Sequence, residues 1–188
     1  PGLTETLDVW DMQLVSYGKK IISLRRQFME ELGEIIRQIH SNLTGKKEEI
    51  RLLYEPDVEE KVFEEKLQSA REKDLRFRVT SVGPHRDDFC VQTNGLDIRK
   101  YGSQGQQRTA ALSLKMSEIY LVEKVTKDHP VLLLDDVLSE LDSSRQNYLL
   151  QSIHNIQTLI TCTGLDELIE NNFSIDRVFR VTEGKIDF

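Results

Sequence analysis

Val131-Leu132-Leu133-Leu134-Asp135-Asp136 is an apolar run ending in two carboxylates, and its reading decides the fold. Aliphatic residues opened by Pro130 and closed by an acidic pair predict a buried strand of a parallel sheet, with Asp135 carried to its C-terminal end. That end is where open α/β folds bring a phosphorylated ligand and a divalent cation together. Asp136 follows in the position to orient or deprotonate a water. Ser139-Glu140-Leu141-Asp142 comes within one loop length, and Asp142 is a good N-cap for a helix over 143–154.

Thirty residues upstream stands Tyr101-Gly102-Ser103-Gln104-Gly105-Gln106-Gln107-Arg108, a polar, Gly-broken turn opening into a helical run to about residue 126. A helix N-terminus exposes unpaired N–H groups and partial positive charge, which suits a phosphate. Either motif alone is ordinary: acidic pairs often end apolar runs, and Ser-x-Gly before a helix is more often a plain N-cap.

In this order they carry a resemblance. Gly102 to Arg108 resembles the signature motif of ABC-type ATPases, residues 132–136 resemble their Walker B strand, and Ser139 to Asp142 resembles the D-loop. With Gly83-Pro84-His85-Arg86-Asp87-Asp88 upstream, the wording over residues 76–163 is similar to the RecF family of bacterial DNA replication and repair proteins. The resemblance implies an α/β fold, the C-terminal half of an ABC-type P-loop ATPase head preceded by a long helical arm. It implies ATP and Mg2+ as cofactors, with Ser103, Gln104, Gly105 and Gln106 serving a nucleotide in trans. Asp135 would hold the metal, Asp136 would act catalytically on water, and Ser139 and Asp142 would form the D-loop at the dimer interface. It further implies an ATP-dependent homodimer, DNA binding at single-strand gaps, a part in recombination and the SOS response, recombinase loading with RecR- and RecO-type mediators, and a cytoplasmic location. No DNA-contact residue can be named from it.

Two departures shape the expected chemistry. Gln104 stands where the common ABC pattern has Gly, and Asp136 where it has Glu; the shorter carboxylate predicts slow hydrolysis, fitting a switch rather than a motor. Cys162-Thr163 occupies the place of a γ-phosphate-sensing His, leaving Thr163 as a possible substitute. The phosphate-gripping Gly-x-x-x-x-Gly-Lys-Ser/Thr loop is missing from the sequence, since Gly18-Lys19, Gly45-Lys46 and Gly184-Lys185 are followed by Lys, Lys and Ile. The chain, which starts at Pro1, therefore reads as a C-terminal portion without that lobe, inactive as an ATPase by itself.

Around this centre the chain divides into an arm over 1–75 and a lobe over 76–188. Residues 4–40 predict one amphipathic helix on the order of 50 Å long, its inward stripe Leu7, Trp10, Leu14, Tyr17, Ile21, Leu24, Phe28, Leu32, Ile35 and Ile39. A strand over 49–55 and a helix over 57–73 complete the arm. Strands are expected over 77–81, 89–93 and 96–100, the last two joined by a type I′ turn at Asn94-Gly95. Buried strands over 156–161 and 177–181 flank a helix over 164–172, and Glu183-Gly184 turns the last strand back into Ile186.

Composition narrows the alternatives. A net charge of −7 disfavours bulk attraction to nucleic acid. Arg71, Lys73, Arg76, Arg78 and Arg86 cluster, yet Glu72 and Asp74 among them favour a solvated face. Cys90 and Cys162 fit no metal spacing and read as two reduced core thiols. No apolar run spans a membrane. Two other functions stay open: a different SMC-like ABC head, and a non-enzymatic helical adaptor.

Overall fold

The computed structural model describes residues 6–163 and 175–187, so the helix expected over 164–172 lies outside the described residues. The chain forms two compact units, Pro1–Lys127 and Asp128–Phe188.

The first unit is built on α1 (Leu7–Leu43), a helix of 37 residues and ~55 Å. It packs against β1 (Ile50–Glu55), α2 (Phe63–Phe77) and α4 (Gln104–Thr126). β1 pairs antiparallel with β2 (Asp88–Thr93), and β2 with the short β3 (Leu96–Asp97). The expected division after residue 75 thus has paired strands of one sheet on its two sides, while the compact units part after Lys127. One core joins Val15 and Ile22 of α1 to Phe63 and Leu67 of α2; another joins Ile36 to Ile50, Val91, Ile98 and Ala110.

Several expectations need correction. In the first half of α1 the buried face is Val15, Gly18 and Ile22, while Trp10, Leu14, Tyr17, Ile21, Leu24 and Phe28 are exposed. Two apolar faces run side by side there, and α2 covers only one. The face continues through Leu32, Ile36 and Ile39, with Ile35 half-buried. The strand over 77–81 does not form: α2 runs to Phe77, Arg78 ends it in the left-handed conformation, and the Asp74 carboxylate accepts from Ser81 N at 2.9 Å. α2 starts at Phe63 rather than residue 57. Asn94 and Gly95 both take positive φ (51° and 81°), as a type I′ turn requires. The returning strand is short because Asp97 caps α3 (Ile98–Tyr101), accepting from Arg99 N.

In the second unit β4 (Leu132–Asp135) and β5 (Thr158–Thr161) pair in parallel, linked through α5 (Ser143–Ser152). Leu133 and Leu159 are 71% and 56% exposed, so this sheet is covered on one face only and its strands are half-buried. β6 (Arg180–Thr182) and β7 (Lys185–Asp187) make an antiparallel hairpin around the turn expected at Glu183-Gly184, but β6 starts at Arg180 rather than residue 177 and is exposed rather than buried. Cys162 is exposed and only Cys90 is a core thiol.

Candidate nucleotide site

The signature-like turn lies in the first unit. Ser103, in extended backbone, caps α4 as expected: its Oγ accepts from Gln106 N at 3.3 Å, and Gln106 Oε1 accepts in return from Ser103 N at 3.0 Å. Gln106 Nε2 donates onward to Glu48 Oε1 at 3.0 Å, and Gln107 Nε2 donates to the carbonyls of Ile98 and Gly102. Ser103, Gln104 and Gly105 are exposed and Gln106 half-buried, so the turn is a preformed surface feature. A Cβ on Gly105 would meet nothing closer than Ser103 Oγ at 4.0 Å.

The acidic pair lies in the second unit, exposed at the end of β4. Thr161, its parallel partner on β5, ties the two acids together. Thr161 Oγ1 donates to Asp135 Oδ1 at 2.5 Å and accepts from Asp136 N at 3.0 Å. Asp136 N also reaches the Thr161 carbonyl at 3.2 Å, and its φ of 51° turns the chain out of the strand. Ser139 Oγ donates to the Asp136 carbonyl at 2.9 Å, closing the following turn. Asp142 caps α5, accepting from Arg145 N at 3.0 Å; that bond, with the Arg145 guanidinium beside it, holds its carboxyl below the usual range. Thr163 is exposed.

Asp135 keeps Oδ2 clear of the Thr161 bond, which suits Mg2+, an ion usually held by one or two carboxylates together with phosphate oxygens. Among the described residues, no three His, Cys, Asp or Glu gather as a protein-only metal cage.

Residues 83–88 form a structural knot. The Asp87 carboxylate, 3% exposed, takes Arg25 of α1 at 2.8 Å, the Tyr54 hydroxyl of β1, and Asp57 N at 3.0 Å. Burial, then the Asp87 hydrogen bond, pushes the Tyr54 phenol well up. His85 Nε2 bonds the Thr80 carbonyl, and Arg86 faces Asp57. In the basic cluster, Arg71 is bound to Asp8 and Asp11.

Three residues were not singled out from sequence: Glu48, His40 and Thr161. His40 carried a readable signal, a polar residue in phase with the buried Ile36 and Leu43. Glu48 is one acid in Lys46-Lys47-Glu48-Glu49 and carried none.

No family model matches the chain. It is 58% identical over 187 residues to the DNA replication and repair protein RecF of Agathobacter rectalis, and 54% identical over 186 residues to that of Lachnoclostridium phytofermentans. It spans about half the length of these relatives, 52% of each, while they match 100% and 99% of it. A structure of the recombination mediator protein RecF with ATP in the RecFOR pathway aligns at TM-score 0.83 and 36% identity, over 97% of this chain and 51% of that one. An SMC ATPase structure, described for ATP-driven dimerization and DNA-stimulated activation, aligns at TM-score 0.54 and 14% identity over 88% of this chain and 86% of its own; it shares the fold alone. Motifs, fold and relatives agree: the chain belongs to the RecF family, as a C-terminal portion with the α/β architecture of an ATPase head.

Proposed function

We propose that this chain is the part of a RecF-like DNA repair factor that closes over ATP, so that homodimerisation, and with it DNA binding at single-strand gaps, depends on the nucleotide. The observation that carries this reading is that the capped Ser103 turn and the Asp135–Asp136 edge are both preformed at the surface. Ser103, Gln104, Gly105 and Gln106 present the N-terminal turn of α4 to a triphosphate held by the partner subunit. Asp135 holds Mg2+, which supplies charge neutralisation among the phosphates. Asp136 positions water, and its short side chain keeps hydrolysis slow. Ser139 and Asp142 read the dimer interface, and Thr163 senses the γ-phosphate. Dimerisation then stabilises the DNA-bound state by mass action, in the cytoplasm, with RecR- and RecO-type mediators aiding recombinase loading. Compatible with that location, no helix among the described residues is long and apolar enough to cross a membrane.

The test uses the full-length protein. Ser103→Arg places a bulky cation at the turn and abolishes ATP-dependent dimerisation in sedimentation velocity without unfolding the monomer, whose stability falls only by the loss of the α4 cap, about 1 kcal/mol; normal dimerisation would remove the basis of the proposal. A second reading, a non-enzymatic helical adaptor, draws on the exposed Trp10–Phe28 face of α1. The absence of any Mg-ATP thermal shift in the full-length protein would favour it.

A further inference from the structure

His40 is the most buried titratable side chain described in the first unit, at 0% exposure. It bonds Ser113 Oγ through Nδ1 at 2.9 Å and Glu48 Oε2 through Nε2 at 3.2 Å. The Ser113 hydroxyl donates to the Thr109 carbonyl at 2.7 Å, so its oxygen is left to accept and the Nδ1 proton belongs to His40. Nε2 faces the Glu48 carboxylate, whose other oxygen accepts from Gln106 Nε2 at 3.0 Å. The backbone beside Glu48 is pinned too: Glu49 N donates to Asn94 Oδ1 and Asn94 N to the Glu49 carbonyl, both at 2.9 Å.

The chain of bonds therefore runs Ser113–His40–Glu48–Gln106–Ser103, from the buried face of α4 across the end of α1 and back to the turn that opens α4. Gln106 has its two amide atoms committed within it, Oε1 to Ser103 N and Nε2 to Glu48. We propose that Glu48, held by His40, is the positioning residue of the signature turn, locking Gln106 so that the Ser103 hydroxyl and the first turn of α4 are preset for the triphosphate. Gln106 on this account shapes the turn rather than touching phosphate. The inference rests on the nucleotide reading of that turn given above.

The chemistry supplies its own rescue. In Glu48→Gln the amide oxygen still accepts from Gln106, and the amide nitrogen donates to the neutral Nε2 of His40. Glu48→Ala, Glu48→Gln, Gln106→Ala and the Glu48→Ala/Gln106→Ala double variant of the full-length protein are compared by the dissociation constant of the ATP-dependent dimer. Glu48→Ala weakens the dimer about tenfold, the scale of one hydrogen bond to a charged group. Glu48→Gln stays within about twofold, and adding Glu48→Ala to Gln106→Ala costs no more than about twofold further. Without nucleotide, Glu48→Ala speeds hydrogen exchange of the Ser103 amide about tenfold, and Glu48→Gln does not. Should Glu48→Ala melt below the assay temperature, Glu48→Met keeps the side-chain length and removes both acceptors.

Unchanged dimerisation and exchange in Glu48→Ala, alongside a dimerisation-dead Ser103→Arg, would overturn the positioning role and leave the nucleotide reading intact. Full additivity with Gln106→Ala would overturn it as well, by placing the Glu48 effect elsewhere. A Ser103→Arg protein that dimerises normally would overturn both.

Discussion

At the scale of single residues, the signature-like turn separates what the fold needs from what a ligand needs. Gly105 stands in the first turn of α4 with open space where a side chain would be, so nothing in this chain requires it to be glycine. Gly105→Ala is expected to leave melting unchanged or raise stability by up to about 1 kcal/mol, the helix-propensity difference, measured by denaturant unfolding. The same methyl stands where a triphosphate and a partner subunit would close, so ATP-dependent dimerisation of the full-length protein should fall. If dimerisation survives, close approach at Gly105 is not part of the function. The site was legible in sequence to the extent that its geometry is local. Ser103 as N-cap, Asp142 as N-cap and the exposed acidic pair follow from short-range patterns. Thr161 and Glu48 did not show, because their partners Asp135 and Gln106 lie 26 and 58 residues away in sequence; His40 showed only as a polar residue in phase with a buried face, its partner Ser113 being 73 residues away.

Elements show where pattern reading fails and why. Apolar spacing located α1 to within three residues at either end, and the type I′ turn at Asn94-Gly95 formed as its residues dictate. The inward face of α1 was misread because the helix carries two apolar stripes, and periodicity cannot say which one finds a partner. The residue that decides is Gly18: a Cβ there would stand 2.3 Å from Phe63 Cε1, so its absence lets α2 approach α1. Gly18→Ala should therefore destabilise the first unit by about 1–3 kcal/mol, the range for overpacking, despite alanine's better helix propensity. A thermal melt with no loss would mean that the Phe63 ring moves aside freely. The Asp87 knot gives a pH test at the same scale. The folded state raises the Tyr54 pKa above its unfolded value near 10. Its contribution is complete below that value and is lost as pH rises from about 10 toward the folded pKa, because only the unfolded state then readily releases the proton. Tyr54→Phe should cost about 2 kcal/mol at neutral pH, one hydrogen bond to a carboxylate, and should flatten the loss of stability above pH 10. Parallel alkaline unfolding curves for the two proteins would rule out a role for this phenol.

At the scale of the whole molecule, the sheet of the second unit lacks a cover on one face. Parallel strands are normally covered on both faces, yet β4 and β5 leave Leu133 and Leu159 largely exposed, and Val131 just before β4 is 56% exposed. The same chain holds no Gly-x-x-x-x-Gly-Lys-Ser/Thr to grip the β- and γ-phosphates, and it spans 52% of its RecF relatives. One added lobe would meet both needs, covering the apolar face and supplying the phosphate loop beside Asp135. Residues 1–188 alone are thus expected to bind the apolar-surface dye ANS, to give no Mg-ATP thermal shift and to turn over no ATP. The full-length protein should lose the dye signal and gain the shift. The two readouts separate the causes: loss of dye binding without nucleotide stabilisation would leave the added lobe as packing alone, and turnover by residues 1–188 would show that Asp135, Asp136 and the Ser103 turn hold a triphosphate without any such loop.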